Sequence, residues 1–262
     1  MNKVLEKIKA GKPTFGTWIQ IGHPAIAEML AHFDFDWICV DMEHGVIGIE
    51  TMTSLIRAIE ANGSVPFVRL SSQDPSWIHR ALDAGAKGII APMVNDYKEA
   101  RSVVEHSKYP YIYDECCIGG SRGIGFSRAN LYGIEFDSRI KKANDDIMVV
   151  IQVEHRFSVH NLPFILKVEG IDATFIGPYD LSGSRGAPGN FDAPEYVKLI
   201  EEYHEASIAR DVPTGCHIVR PNKQNISKAI EQGYKFIALG LDVTFFAKGI
   251  EDCMSDLKES LK

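Results

Sequence analysis

Eight short runs of strand-forming residues recur along this chain, each separated from the next by a helical pattern, and that alternation restricts the fold more than any other feature. The runs occupy residues 15–21, 37–41, 66–70, 88–91, 148–154, 173–176, 214–218 and 236–239. Several are apolar without period-two alternation, as expected of strands covered on both faces. Strands alternating with helices are the mark of parallel pairing through crossover connections. The helices between them carry their own punctuation: Asp74-Pro75 supplies an N-cap and first-turn proline, and Gly85, Asn62-Gly63, Gly170 and Gly233 supply stops. Eight strand–helix units in 262 residues favour one α/β domain over residues 1–262, a (β/α)8 barrel, over an open doubly wound sheet.

Two stretches depart from this rhythm. Residues 109–146 form a long insertion between the fourth and fifth strands, and loops of that length in compact domains are functional or locally folded. At its centre, Arg122-Gly123-Ile124-Gly125 follows no clear strand and lacks the full dinucleotide fingerprint. It reads as a shaped loop over the barrel mouth. Residues 243–261 read as a last amphipathic helix.

Bulk properties remove several function classes. A net charge of -7 argues against a nucleic-acid partner. The apolar runs are of strand length, well short of a membrane span, and no signal-peptide pattern opens the chain. Five cysteines without a C-x-x-C pair argue against a disulfide framework or a zinc thiolate site, and point to a reducing cytoplasm.

A barrel places its active site at the C-terminal ends of the strands, so polar residues there are the candidates. Asp41 ends the second run and leads into Met42-Glu43-His44-Gly45; Arg69 lies near the end of the third; Gln152 and Glu154 end the fifth; Asp180 follows the sixth; His217 lies near the end of the seventh. Glu154 and Asp180 are oxygen donors suited to a hard divalent ion such as Mg2+ or Mn2+. The plainer alternative pairs Glu154 with Arg156 and makes Asp180 a turn cap. Arg69, embedded in an apolar strand, suits a substrate carboxylate or a structural salt bridge equally. His44 is a general-base candidate only through its acidic neighbours Asp41 and Glu43. His79, His106, His155, His160 and His204 show no ligand spacing.

Three blocks carry a family resemblance: Phe35-Asp36-Trp37 through Asp41-Met42-Glu43-His44-Gly45, Lys142-Ala143-Asn144-Asp145 through Gln152-Val153-Glu154, and Val168-Glu169-Gly170 through Gly177-Pro178-Tyr179-Asp180-Leu181-Ser182 with Pro188-Gly189-Asn190. In these the chain resembles the HpcH/HpaI family of metal-dependent, pyruvate-type aldolases. The resemblance implies a (β/α)8 barrel assembled as a hexamer, a trimer of dimers, with the C-terminal helix exchanged between subunits. It implies that Glu154 and Asp180 hold the metal, with Mg2+ or Mn2+ ahead of Co2+. Gln152 lies near the metal, and Gly177, Pro178 and Tyr179 border the substrate. Arg69 would bind the 2-keto acid and steady its enolate, and His44 would act as the catalytic histidine, assisted by Asp41 and by Asp83 reaching a neighbouring subunit's site. The implied reaction cleaves a 4-hydroxy-2-keto acid to pyruvate, or a close 2-keto acid, and an aldehyde.

Some positions depart from the family pattern. Tyr179 stands where a small residue is usual and His155 where a hydroxyl or amide is usual; Arg185, His217, Arg220 and the lengthened 111–119 segment also differ. They are candidates for the pocket or its lid. The extra arginines suit a second carboxylate and leave open oxaloacetate chemistry, as condensation with an acyl-CoA or as decarboxylation; a non-catalytic barrel that binds a small acid is a third reading.

Overall fold

The structure, a computed structural model, describes residues 2–113 and 116–262, with the backbone alone for 111–113 and 116–118. Asp114, Glu115 and the side chains of Cys116 and Cys117 lie outside the described residues. The first four strands are β1 (Thr14–Ile19), β2 (Trp37–Asp41), β3 (Val65–Arg69) and β4 (Gly88–Ala91). An antiparallel hairpin follows, β5 (Pro110–Tyr113) with β6 (Cys116–Gly119). Four more strands complete the set: β7 (Met148–Val153), β8 (Ala173–Ile176), β9 (Thr214–Ile218) and β10 (Phe236–Leu241). All but the hairpin pair in parallel and close into a barrel in the order β1-β10-β9-β8-β7-β4-β3-β2. The (β/α)8 expectation is met, with strand limits within about two residues of those read from sequence.

Helices occupy α1 (Lys3–Lys9), α2 (Pro24–Ala31), α3 (Ile49–Ala61), α4 (Pro75–Asp83), α5 (Tyr97–Ser107), α6 (Phe136–Asp146), α7 (Arg156–Ile165), α8 (Pro178–Gly183), α9 (Pro194–Ile208), α10 (Lys223–Glu231) and α11 (Asp242–Ser260). Their start signals act as the sequence implies. Asp74 accepts the Ser76 N–H at 2.8 Å to cap α4, and Gly85 takes up the chain after it at φ +103°, a conformation that costs a glycine little. No helix among the described residues is long and apolar enough to cross a membrane.

Successive inward positions on each strand explain how the site is built. Along β2 they are Trp37, Cys39 and Asp41; along β3, Val65, Phe67 and Arg69; along β7, Met148, Val150 and Gln152, with Glu154 next. The lower residues of each set form one apolar cluster inside the barrel, in which the Trp37 ring stacks on Phe236 at 4.1 Å between centroids. Gly16 makes room for it, because a Cβ there would lie 2.0 Å from the Trp37 ring. Val4, Leu5 and Ile8 of α1 close the base of this cluster. A second, larger core fills the space between strands and helices. Large apolar side chains thus fill the barrel from its base up to the layer where Asp41, Arg69 and Gln152 begin.

The insertion is not where the sequence puts it. Helix α5 carries the chain back to the base of the barrel, so the hairpin, a 3-10 turn (Arg128–Gly133) and α6 gather there, at the N-terminal ends of the strands. Arg122 N–H donates to the Lys108 carbonyl at 3.0 Å, and Arg128 donates to Ala84 O at the end of α4 at 3.1 Å. The Arg122-Gly123-Ile124-Gly125 loop therefore does not cover its own barrel mouth, and the described strands β5 and β6 pair at the base rather than over the mouth.

Candidate active site

The β2–β3 register places Asp41 directly beside Arg69, and neighbours in register project to the same face of the sheet. Arg69 donates to Asp41 through Nε at 2.9 Å and Nη2 at 2.6 Å. Asp41 is fully buried, yet this bidentate pairing outweighs the effect of burial and holds its carboxyl below the usual range. Gln20, just beyond β1, adds a third donor to Asp41 at 2.8 Å, and the Trp18 ring lies under the guanidinium at 4.5 Å. Arg69 Nε also faces Glu43 Oε2 at 3.3 Å. Nη1 is the part of the fork without a partner among the described residues.

Across the mouth, Glu154 sits two residues beyond Gln152 on the same inward face. Its Oε1 accepts the Met93 N–H at 2.5 Å, and its Oε2 accepts from the Gln152 amide. No ion pair with Arg156 forms; that guanidinium lies over Phe157. Gly177 leaves space at this point: a Cβ there would lie 2.7 Å from Glu154 Cβ and 2.8 Å from its Oε2. Asp180 does not cap a turn. It lies in the first turn of α8, after Pro178, and is exposed at the mouth.

Charge is unbalanced here. Burial first, and then the like charge of Glu43, push the Glu154 carboxyl up to about 7, with Asp180 adding to the effect. Glu43 is itself raised, chiefly by burial, with Asp41 and Asp180 reinforcing it against Arg69. Arg69 thus serves Asp41 and Glu43, while the charged groups acting on Glu154 are the acids Glu43 and Asp180. Gln152 Oε1 is buried without a hydrogen-bond partner.

His44 lies on the loop after β2. Asp41 Oδ1 accepts its backbone N–H at 3.2 Å, while its ring Nε2 stands 3.9 Å from Glu43 Oε2. The exposed imidazole therefore borders the acids without being locked by either. Asp41, His44, Arg69, Gln152, Gly177, Pro178, Tyr179, Asp180 and His217 all line one cavity of about 220 Å3. Asp83 does not join them. At the end of α4, at the barrel base, it accepts from Arg122 at 2.7 Å. His155 caps α7 by accepting the Phe157 N–H at 3.2 Å, and neither it nor Arg185 nor Arg220 lines the cavity.

Sequence reading passed over Trp18, Gln20, Glu43 as a partner of Arg69, and the Met93 N–H. Gln20 continues the inward side of β1, so the strand-end test that selects Asp41 also selects it. Asp242, at the start of α11, accepts the N–H groups of Gln20 at 3.0 Å and Ile21 at 2.7 Å and fixes that corner. A backbone donor such as Met93 N–H leaves no side-chain signature.

The donor set fits a hard divalent cation. Asp180 adds its like charge to that of Glu43 on Glu154, beside an unpartnered Gln152 amide oxygen and a cradle at Gly177 that a Cβ would fill. No three His, Cys, Asp or Glu side chains converge into a preformed shell among the described residues. A two-carboxylate site leaves coordination positions for water and substrate. Larger clefts of about 300 and 580 Å3 lie at the barrel base, where acids and bases are more evenly matched.

Comparison with known proteins identifies the family of the chain. The family model described as HpcH/HpaI aldolase/citrate lyase matches residues 14–249. A 4-hydroxy-2-oxo-heptane-1,7-dioate aldolase of Escherichia coli is 36% identical over 252 residues, covering 95% of this chain and 92% of that protein. An HpcH/HpaI aldolase/citrate lyase family protein from Burkholderia cenocepacia J2315 superposes with a TM-score of 0.91 at 28% identity, over 98% of this chain and 100% of that one. The crystal structure of the citrate synthase SbnG gives a TM-score of 0.84 at 27% identity, over 98% and 97%. With its barrel and its mouth in place, the chain belongs to the HpcH/HpaI aldolase/citrate lyase family.

Proposed function

We propose that this chain is a metal-dependent aldolase that cleaves a 4-hydroxy-2-keto acid to pyruvate, or a close 2-keto acid, and an aldehyde. The observation that carries the reading is the excess of carboxylates over cations at the mouth, opposite an arginine whose free edge faces the same cavity. A bound Mg2+, Mn2+ or Co2+ ion held by Glu154 and Asp180 would act as a Lewis acid toward the keto acid. Gln152 fixes the Glu154 carboxylate, and Gly177 lets substrate and backbone approach it. Arg69, oriented by Asp41 and stacked on Trp18, offers Nη1 to the oxygen that becomes negative as the enolate forms. His44 takes the proton of the C4 hydroxyl. The C3–C4 electron pair then moves into the enolate, the aldehyde leaves, and protonation at C3 gives the methyl group of pyruvate. At Glu154 a metal ion would take the place of the proton that the carboxyl, raised to about 7 by burial, holds at lower pH.

The direct test is exchange of the pyruvate methyl protons with deuterium, followed by NMR. It reports enolate formation without knowledge of the aldehyde. Metal-replete protein should catalyse it, and its absence would favour a non-catalytic acid-binding barrel.

A second reading keeps the enolate and changes the partner. It draws support from the similarity to a structure described as a citrate synthase, and takes oxaloacetate with an acyl thioester, or oxaloacetate alone for decarboxylation. Incubation with oxaloacetate, with and without acetyl-CoA, separates the two readings: exclusive citrate formation would remove the aldolase.

The assembly belongs to the same proposal. Helix α11 exposes Phe246, Ile250, Met254 and Leu257 along its length, a face suited to exchange between subunits of a hexamer built as a trimer of dimers. Asp83, with a side chain 41% exposed at the barrel base, is available there to a neighbouring subunit's site. Light scattering on the purified protein tests the hexamer. A cytoplasmic setting suits Cys39, Cys216 and Cys253, all of them free.

A further inference from the structure

The mouth cavity has two unlike sides, and barrel order separates them. Strands β2, β3 and β7 and the start of α8 bring Asp41, Arg69, Gln152 and Asp180. The adjacent strands β9, β10 and β1 bring His217, Val219, Leu241 and Trp18 instead. Tyr179 completes this second arc from the start of α8, its ring braced edge-to-face on Phe191 at 5.2 Å, and a Cβ at Gly189 would lie 3.6 Å from it. Among the described residues Arg69 is the sole arginine or lysine lining the cavity, and Asp41 and Glu43 already engage it.

Two polar side chains line the arc: Gln20 at the end of β1, whose amide is already engaged with Asp41 at 2.8 Å, and His217. His217 Nε2 lies 3.1 Å from the Gly240 carbonyl, an acceptor, so Nε2 carries the proton. The ring packs against Trp18 at 5.9 Å between centroids. The charged groups nearest to it are Arg69, which opposes its protonation, and Asp41, which is already paired. Burial, the larger influence, holds it neutral. The arc therefore offers apolar surface and an uncharged imidazole, with no cation for an anion.

We propose that the β9–β10–β1 arc is the aldehyde side of the pocket and selects uncharged aldehydes, aliphatic or aromatic, over aldehydes bearing a second carboxylate. The inference rests on the aldolase reading above. In the condensation direction the enolate C3 forms its bond to the aldehyde carbon, the carbonyl oxygen receives the proton held by His44, and the remainder of the aldehyde lies against Tyr179, Val219 and Leu241. An alkyl or aryl chain gains from that burial. A carboxylate in its place loses water and finds no partner.

Butanal and succinic semialdehyde test this directly, because both have four carbons and differ at the terminal group. With pyruvate and Mn2+ held constant, kcat/KM for butanal should exceed that for the semialdehyde by about tenfold or more. Val219→Arg, at a position exposed enough to accept it, should move the ratio toward the semialdehyde by about tenfold or more. Methyl deuterium exchange of pyruvate without aldehyde runs alongside. Exchange together with equal or greater use of the semialdehyde by the wild-type protein overturns this proposal and leaves the aldolase standing, as does a ratio unmoved by Val219→Arg. Absence of exchange removes the aldolase and this proposal with it.

Discussion

The two ends of the barrel treat charge in opposite ways. At the base, each buried or half-buried arginine has an acid of its own: Arg122 with Asp83, Arg128 with Glu60, Arg139 with Glu135. At the mouth, Arg69 is engaged by Asp41 and Glu43, while the charged groups acting on Glu154 are themselves acids, Glu43 and Asp180. Paired charges at the base do structural work, pinning the insertion to α3 and α4. The mouth is complete only when positive charge arrives from outside. Both ends are rich in charged residues, so abundance does not mark the site; imbalance does.

The largest expected effect lies on the one cation of the mouth. Arg69→Ala should lower pyruvate methyl exchange by about a thousandfold, and chemical denaturation should show a loss of about 3–5 kcal/mol, because Asp41 stays buried without its partner. Arg69→Lys should recover little exchange, since a single ammonium does not reproduce the fork.

Glu154→Gln sharpens the contrast by separating stability from function. Calorimetry should show Mn2+ binding weakened about a hundredfold or more. The metal-free variant should nonetheless be more stable than the metal-free wild type above pH 7. The sign follows from the raised carboxyl: the folded state holds a proton up to about pH 7, whereas the unfolded chain loses it near its ordinary 4.5. Folded protein binds the extra proton in that window, so stability falls as pH rises through it. The neutral amide removes the fall.

His217 gives the reverse dependence. Its pKa is depressed by burial from 6.5 to about 4, so the unfolded chain binds the extra proton between these values. Wild-type stability should fall as pH drops from 6.5 toward 4, by about 2–3 kcal/mol. Denaturation of His217→Asn across that range should show a flatter profile.

The smallest effect belongs to the base. Arg128→Ala breaks a partly exposed pair whose acid can hydrate, and should cost about 0.5–1 kcal/mol in denaturant. A loss as large as that of Arg69→Ala would erase the distinction between the two ends.

Much of this contrast was legible in the residues, and its limits have physical causes. The strands declared themselves through apolar runs and capping signals, and Asp41, Arg69, Gln152 and Glu154 stood out because they replace apolar residues at the last inward positions of strands. The same rule extends to Gln20, which went unnoticed beside the more conspicuous acids. The insertion was misplaced for a different reason. Glycines and an arginine around Arg122 resemble a site loop, but a strand–helix unit returns the chain to the base, so its position was fixed by topology rather than composition. Pairings between the ends of neighbouring strands, such as Glu43 with Arg69 and the Met93 N–H with Glu154, depend on strand order and register and have no local signal. Neither does the apolar character of the arc around Val219 and Leu241, which depends on which strands become neighbours.

Metal dependence of enolate formation tests the central claim most directly. Protein stripped of divalent ions is mixed with pyruvate in deuterium oxide, the methyl signal is followed by NMR, and Mn2+ or Mg2+ is then restored. The charge imbalance at Glu154 and Asp180 predicts negligible exchange in stripped protein and rapid exchange once metal returns, with Glu154→Gln failing to respond. Equal exchange with and without metal, or a full response from Glu154→Gln, would contradict it.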